Sequence, residues 1–90
     1  MKIESAEFHV DSHSISVSTM YGNIVEWTKD GEKWIDTNTK QPVSKEQIVS
    51  AVQDTIDRIL ETECEPPLTY ERWMDIMVQI ETTIEKVVKL

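Results

Sequence analysis

Apolar and polar residues alternate along the first part of the chain, which is the pattern of half-buried β-strands. The inward positions are even-numbered at Ala6, Phe8 and Val10 and odd-numbered at Ile15, Val17 and Thr19. A hairpin turn centred on Ser12 and His13 explains this change, because it pairs Val10 with Ile15 on one face of a sheet. The sequence therefore predicts an antiparallel hairpin at the start of the chain.

Two further chain reversals are predicted at the two glycines. A three-residue loop that ends at Gly22, with this glycine in the left-handed conformation, keeps the next apolar residues on the same face. Asp30-Gly31, as a two-residue turn, sets Trp27 directly opposite Trp34. The four predicted strands span about residues 3–10, 14–20, 23–29 and 32–37. Their shared apolar face carries Ala6, Phe8, Val10, Ile15, Val17, Val25, Trp27 and Trp34.

The second half of the chain has the spacing of two amphipathic helices, over about residues 45–62 and 69–89. Ser44 and Gln47 have the spacing of a capping box at the first helix, and Thr69 is a helix cap at the second. The inner face of the first helix carries Ile48, Val49, Val52, Ile56, Ile59 and Leu60. That of the second carries Trp73, Met77, Ile80, Ile84 and Val87, widened by Tyr70, Ile76 and Val88.

These elements predict a single α+β domain over residues 1–90, of order ββββαα. A four-stranded antiparallel meander is followed by a C-terminal two-helix hairpin packed on one of its faces. Residues 1–5 are too polar for a signal peptide, and no apolar run approaches the roughly 20 residues of a membrane span. The single cysteine, Cys64, allows no disulfide within the chain. We therefore expect a cytoplasmic protein that makes no contact with membranes.

Charge is the most unusual global property of the sequence. Seventeen acidic residues outnumber nine basic ones, and the formal net charge is −8 at pH 7. This charge argues against direct binding to nucleic acid, which needs clustered Lys and Arg. The excess is densest over residues 44–67, where six acidic residues accompany two basic ones. Two explanations stay open: solubility, and a surface matched to a basic partner.

Few residues suggest chemistry. His9, Asp11 and His13 would share a metal-binding face on one strand, but the turn predicted at Ser12 breaks that face. Cys64 lies among carboxylates near a helix C-terminus, which raises the pKa of a thiol and disfavours a nucleophile. The sequence contains no phosphate-binding loop, dinucleotide motif or nucleophile elbow. We therefore predict no catalytic residue, no cofactor and no metal site, and a protein that is not an enzyme.

Two surfaces remain as candidates for binding. Carboxylates at helical spacing cover much of the outer side of the first helix: Glu46, Asp54, Asp57 and Glu61. An array of this kind can imitate phosphates and fit a basic cleft. Met74 and Val78 lie one turn apart on the second helix, and we expect them to add to the core under the sheet. Otherwise they form an apolar patch for a partner or for a second copy of the chain.

The function that these features favour is a non-enzymatic protein-binding module. It would be a small acidic inhibitor or regulator, of the phage or immunity type, that blocks a basic partner surface, with mimicry of nucleic acid as one form of blocking. The alternative is a structural subunit that forms homodimers through Met74 and Val78 of the C-terminal helix.

Overall fold

The computed structural model describes residues 2–3, 6–63 and 68–88. The strands are β1 (Lys2–Ile3), β2 (Ala6–Val10), β3 (Ser14–Thr19), β4 (Gly22–Asp30), β5 (Lys33–Asp36) and β6 (Pro42–Val43). The helices are α1 (Lys45–Glu63) and α2 (Tyr70–Val87). The strands lie side by side in sequence order, each antiparallel to its neighbours. The predicted α+β architecture, a meander followed by a helical hairpin, is confirmed. Cys64 lies outside the described residues.

The sheet is wider than predicted, because a two-residue strand lies at each edge. Residues 3–10 were predicted as one strand, but β1 and β2 are separate and Ile3 pairs with Ala6. At the opposite edge, β5 pairs with Pro42 and Val43, although the sequence predicted a connection there. Strands of two residues contain too few positions for an alternating pattern to reveal them.

The first predicted hairpin is confirmed residue by residue. Phe8 lies opposite Val17, and Val10 lies opposite Ile15. Phe8, Val17 and Ile15 are buried, and Val10 packs against them at the edge of the core. The apolar face of the meander is therefore the face that the sequence predicts.

The turn between β3 and β4 differs from the predicted three-residue loop. Thr19 pairs with Gly22, so the loop contains two residues, and Gly22 has a φ of 114°. The register then shifts at Ile24, which is the extra residue of a β-bulge. The bulge restores the expected pairing of Val17 with Val25. The short loop and the bulge together have the same effect on the register as the predicted loop.

The predicted pairing of the two tryptophans is wrong. Asp30 pairs with Lys33, which moves the turn to Gly31-Glu32 and sets Trp27 opposite Asp36 and Trp34 opposite Lys29. Gly31 has a φ of 67°, as the first central residue of a type II′ turn requires. Both tryptophans stay on the core face, because a shift of two residues preserves the side on which a residue points.

The core lies between the sheet and the helical hairpin. Both helices begin as predicted: the Ser44 N–H donates to Gln47 Oε1 at 2.8 Å and the Gln47 N–H donates to Ser44 Oγ at 3.2 Å. Thr69 Oγ1 accepts the Arg72 N–H at 3.3 Å. Buried helical residues in the core are Ile48, Val52, Ile56 and Leu60 of α1 and Met77, Ile80 and Ile84 of α2. They face Phe8, Ile15, Val17, Trp27 and Trp34 of the sheet.

The molecule has two layers and measures 43 × 27 × 17 Å along its principal axes. α1 packs against β3, and α2 packs against β2. No other described element covers the side of the helices that faces away from the sheet. Within the described residues, neither helix combines the length and hydropathy that a membrane span requires.

Candidate interaction surface on the helical hairpin

The predicted acidic stripe occupies one side of α1. At 100° per residue, Glu46, Asp54, Asp57 and Glu61 fall within about 80° of one another around the helix axis. Glu46, Asp54 and Glu61 are exposed to solvent, whereas Asp57 is half-buried. Asp54 also pairs with Arg58 at 3.3 Å, an exposed contact of the kind that contributes little to stability.

Asp57 has a different role from the other three carboxylates, because it joins the two helices. Its Oδ1 accepts a hydrogen bond of 2.5 Å from the indole Nε1 of Trp73. One turn earlier on α1, the Gln53 side chain donates to the Met77 carbonyl at 3.0 Å. The sequence predicted that Asp57 is exposed and contacts a partner. In the structure its main role is to connect the two helices.

Met74 and Val78 do not add to the core, so this expectation is wrong. Their exposed fractions are 36% and 52%, although the neighbouring Met77 is buried. Tyr70, predicted near the inner stripe, is 73% exposed and stacks on Trp73 with ring centroids 6.1 Å apart. Tyr70, Met74 and Val78 are separated by one turn each, and therefore form an apolar strip on the solvent side of α2.

The acidic stripe and the apolar strip meet in one groove between the helices. We call this the interhelical groove, and its main lining residues are Asp54, Asp57, Trp73, Met74, Val78 and Glu81. Its volume is about 380 Å³. The sequence predicted the carboxylates of α1 and the pair Met74 and Val78 as two separate binding surfaces. In the structure they are parts of one surface. Glu81 is a residue of this surface that the sequence reasoning missed.

The acidic character continues along the hairpin toward the start of α1. A neighbouring depression is lined by Glu46 and Ser50 of α1 and by Glu81 and Glu85 of α2. Lys45 forms an ion pair with Glu85 at 3.4 Å and links the two helices at this end. Glu61 does not line either depression, and lies farther along α1. The carboxylates of the surface therefore come from both helices, and the stripe on α1 is only one side of it.

The residues considered for a metal site form a turn instead. Asp11 Oδ1 accepts the N–H groups of His13 and Ser14 at 2.7 and 2.8 Å, and Asp11 Oδ2 lies 2.9 Å from His9 Nε2. The His13 N–H, followed by the His9 side chain and the Ser14 N–H, lowers the pKa of Asp11 from 3.8 to about 2. The Asp11 carboxylate therefore stabilises the hairpin between β2 and β3.

We expect this turn to weaken in strong acid. A carboxyl group whose pKa is lower in the folded state stabilises the fold above its unfolded pKa, near 3.8, and this contribution disappears as the pH falls through about 2. An NMR titration of the Asp11 carboxyl carbon should give a midpoint near 2. Asp11→Asn, which keeps the Oδ1 acceptor, should remove most of the pH dependence of the hairpin amide shifts in this acid range. A midpoint at 3.8 or above would contradict the hydrogen-bonded turn.

Aromatic and apolar residues are also exposed at the tip of the hairpin between β3 and β4. Met20 and Tyr21 are 83% and 93% exposed, and Ile24 is 46% exposed. Tyr21 directly precedes Gly22 and belongs to the chain reversal predicted there. Met20 and Tyr21 are the two residues of this loop, and neither is charged. The tip therefore lacks the combination of apolar and acidic side chains that lines the interhelical groove.

Comparison of the chain with protein-family models, with curated proteins and with solved structures gives no match in any of the three.

Proposed function

We propose that this chain is a non-enzymatic protein-binding module that blocks a basic surface of a partner protein in the cytoplasm. The observation that supports the proposal is the interhelical groove, in which the exposed Met74 and Val78 lie beside carboxylates of both helices. Apolar side chains provide the area that a protein interface buries, and the surrounding charges provide orientation.

Electrostatics favours a basic partner. The two helices together carry nine acidic and four basic side chains, and the whole chain carries a net charge of −8. Such a field raises the association rate with a positively charged surface and repels acidic ones. Salt should therefore slow association, since the attraction acts over a Debye length of about 8 Å at physiological ionic strength.

Mimicry of nucleic acid is the less favoured form of this function. A cleft that binds phosphates is lined by Lys and Arg, and gains nothing from thioether and isopropyl groups. Met74 and Val78 would remain exposed against such a cleft. A protein segment with its own apolar side chains would cover them.

Self-association is the second candidate, because the exposed Met74 and Val78 offer an apolar contact. In a symmetric dimer through this face, Asp54 and Glu81 would approach the same carboxylates of the other copy. Like charges brought together across an interface oppose binding. Sedimentation at several concentrations tests this candidate: a dimer that persists in high salt and is weakened by Val78→Glu would favour it over the basic partner.

Charge reversal on α1 should abolish capture of the partner. Asp54→Lys combined with Glu61→Lys changes two exposed carboxylates and leaves the structural Asp57 intact. The matched control, called the sheet variant, is Glu7→Lys with Glu32→Lys, which makes the same change of charge at exposed positions of β2 and of the turn between β4 and β5. Tagged chains would be used to capture proteins from the cell of origin, with identification by mass spectrometry.

We expect the same proteins to be retained by the natural chain and by the sheet variant, and lost from the helix variant and at high salt. Retention of the same proteins by the helix variant would contradict the proposed surface, whatever the sheet variant retains. Circular dichroism of both variants checks that each is folded.

A further inference from the structure

We infer that the segment bound in the interhelical groove is a basic amphipathic α-helix of the partner, lying between α1 and α2. This inference rests on the proposed function and specifies the chemistry of the ligand. It requires apolar residues on one side of the partner helix and Lys or Arg along the borders of that side.

The floor of the groove fits the apolar side of a helix. Met74 and Val78 line the groove four residues apart, which corresponds to about 6 Å along the axis of α2. The exposed Tyr70 continues their line by one turn, outside the groove. A partner helix repeats its apolar residues at intervals of three and four, with nearly the same rise per turn. Side chains of the two helices can therefore interdigitate along the strip.

The carboxylates of the groove can bind Lys or Arg along the sides of the partner helix. Asp54 and Asp57 belong to α1 and Glu81 belongs to α2, so acidic groups on both helices line the groove that contains Met74 and Val78. A carboxylate has two oxygens and accepts several hydrogen bonds, and Asp57 therefore can receive a cation while it holds the Trp73 indole. Lys or Arg beside an apolar stripe would meet these groups.

A helix fits this groove better than an extended segment does. The groove is bordered by helices, whose own backbone groups are already paired within each helix. A strand laid there would lose water from its N–H and C=O groups and find no backbone partner, whereas a helix pairs these groups internally. A helix on the exposed side of the hairpin would add a third layer to the two-layer fold.

The test uses a defined probe and the full chain. The probe is a synthetic 18-residue peptide of leucine and lysine, with leucine at helical spacing, and its comparison is a scrambled peptide of the same composition. Binding is measured by isothermal titration calorimetry and by NMR of uniformly ¹⁵N-labelled protein. The indole N–H of Trp73 is a local reporter, because Trp73 lines the groove while Trp27 and Trp34 are buried in the core between the sheet and the helices.

We expect the amphipathic peptide to bind at least tenfold more tightly than the scrambled one. It should shift the Trp73 indole resonance and leave those of Trp27 and Trp34 nearly unchanged. Val78→Thr should weaken binding about tenfold, because it replaces a methyl group of the floor by a hydroxyl at nearly constant volume. The matched control is Ile24→Thr on the sheet, since Ile24 and Val78 have similar exposed fractions of 46% and 52%.

Three outcomes would overturn the inference: no binding of the amphipathic peptide, equal binding of the scrambled peptide, or the same effect of Val78→Thr and Ile24→Thr. Equal binding of the two peptides, with loss of both on Asp54→Lys and Glu61→Lys, would still leave the acidic surface as a site for a basic partner. The proposed function itself fails only if charge reversal on α1 leaves capture of cellular proteins unchanged. The failures of the two proposals are thus distinguishable.

Discussion

Replacement of Trp34 by alanine is expected to lower the free energy of unfolding by about 3–5 kcal/mol, the usual cost of removing a large aromatic side chain from a core. Trp34 is 2% exposed and packs in the core formed by the sheet and the helices. Domains have about 5–15 kcal/mol of total stability, so this substitution removes a large share of it and should lower the urea midpoint markedly. Urea denaturation followed by circular dichroism measures the change.

Tyr21→Ala is the matched control for this substitution. It also removes a large aromatic side chain, but Tyr21 is 93% exposed at the tip of a hairpin. Its free energy of unfolding should therefore stay within about 0.5 kcal/mol of the natural chain. Similar losses at Trp34 and Tyr21 would contradict the position of Trp34 in the core.

Trp73→Phe is expected to destabilise the fold by about 1.5–3 kcal/mol, the range for a hydrogen bond to a charged group. The substitution keeps an aromatic ring but removes the indole donor that joins α2 to Asp57 of α1. Asp57 is half-buried, so water replaces the lost donor only in part. Urea denaturation again gives the magnitude.

A double-mutant cycle separates this hydrogen bond from other effects of the substitution. If the indole and the carboxylate interact as the structure describes, Asp57→Ala, which removes the acceptor, and Trp73→Phe should show a coupling energy of about 1 kcal/mol or more. Tyr70→Phe, which removes a polar group from the exposed ring that stacks on Trp73, should be nearly neutral. A coupling energy near zero would mean that the contact between Asp57 and Trp73 does not stabilise the hairpin of helices.

The fold class and the face of each strand could be predicted because they depend on the period of the apolar residues. The register between β4 and β5 could not. Shifting the pairing of Trp34 by two residues leaves it on the same face, so the pattern fits both registers equally well. Only the turn chemistry distinguishes them, and Gly31 suits the first central position of one turn type and the second of another.

The candidate site could be predicted in its parts but not as a whole. The acidic stripe on α1 follows from helical spacing alone. Its position beside Met74 depends on how α1 and α2 are rotated and aligned against each other, which helical periodicity does not specify. Contacts such as that between Asp57 and Trp73 fix this alignment. The same alignment of the helices brings Glu81 to this surface, and no sequence pattern predicts that position.

The packing of α2 against β2 has a consequence for synthesis of the protein on the ribosome. The strands emerge first, and their tryptophan-bearing face remains bare until both helices have followed, because each helix covers a different strand. Val88, 1% exposed, is the last core residue along the described chain. The nascent chain is therefore expected to expose the hydrophobic face of its sheet to chaperones until Val88 has been synthesised and has left the exit tunnel.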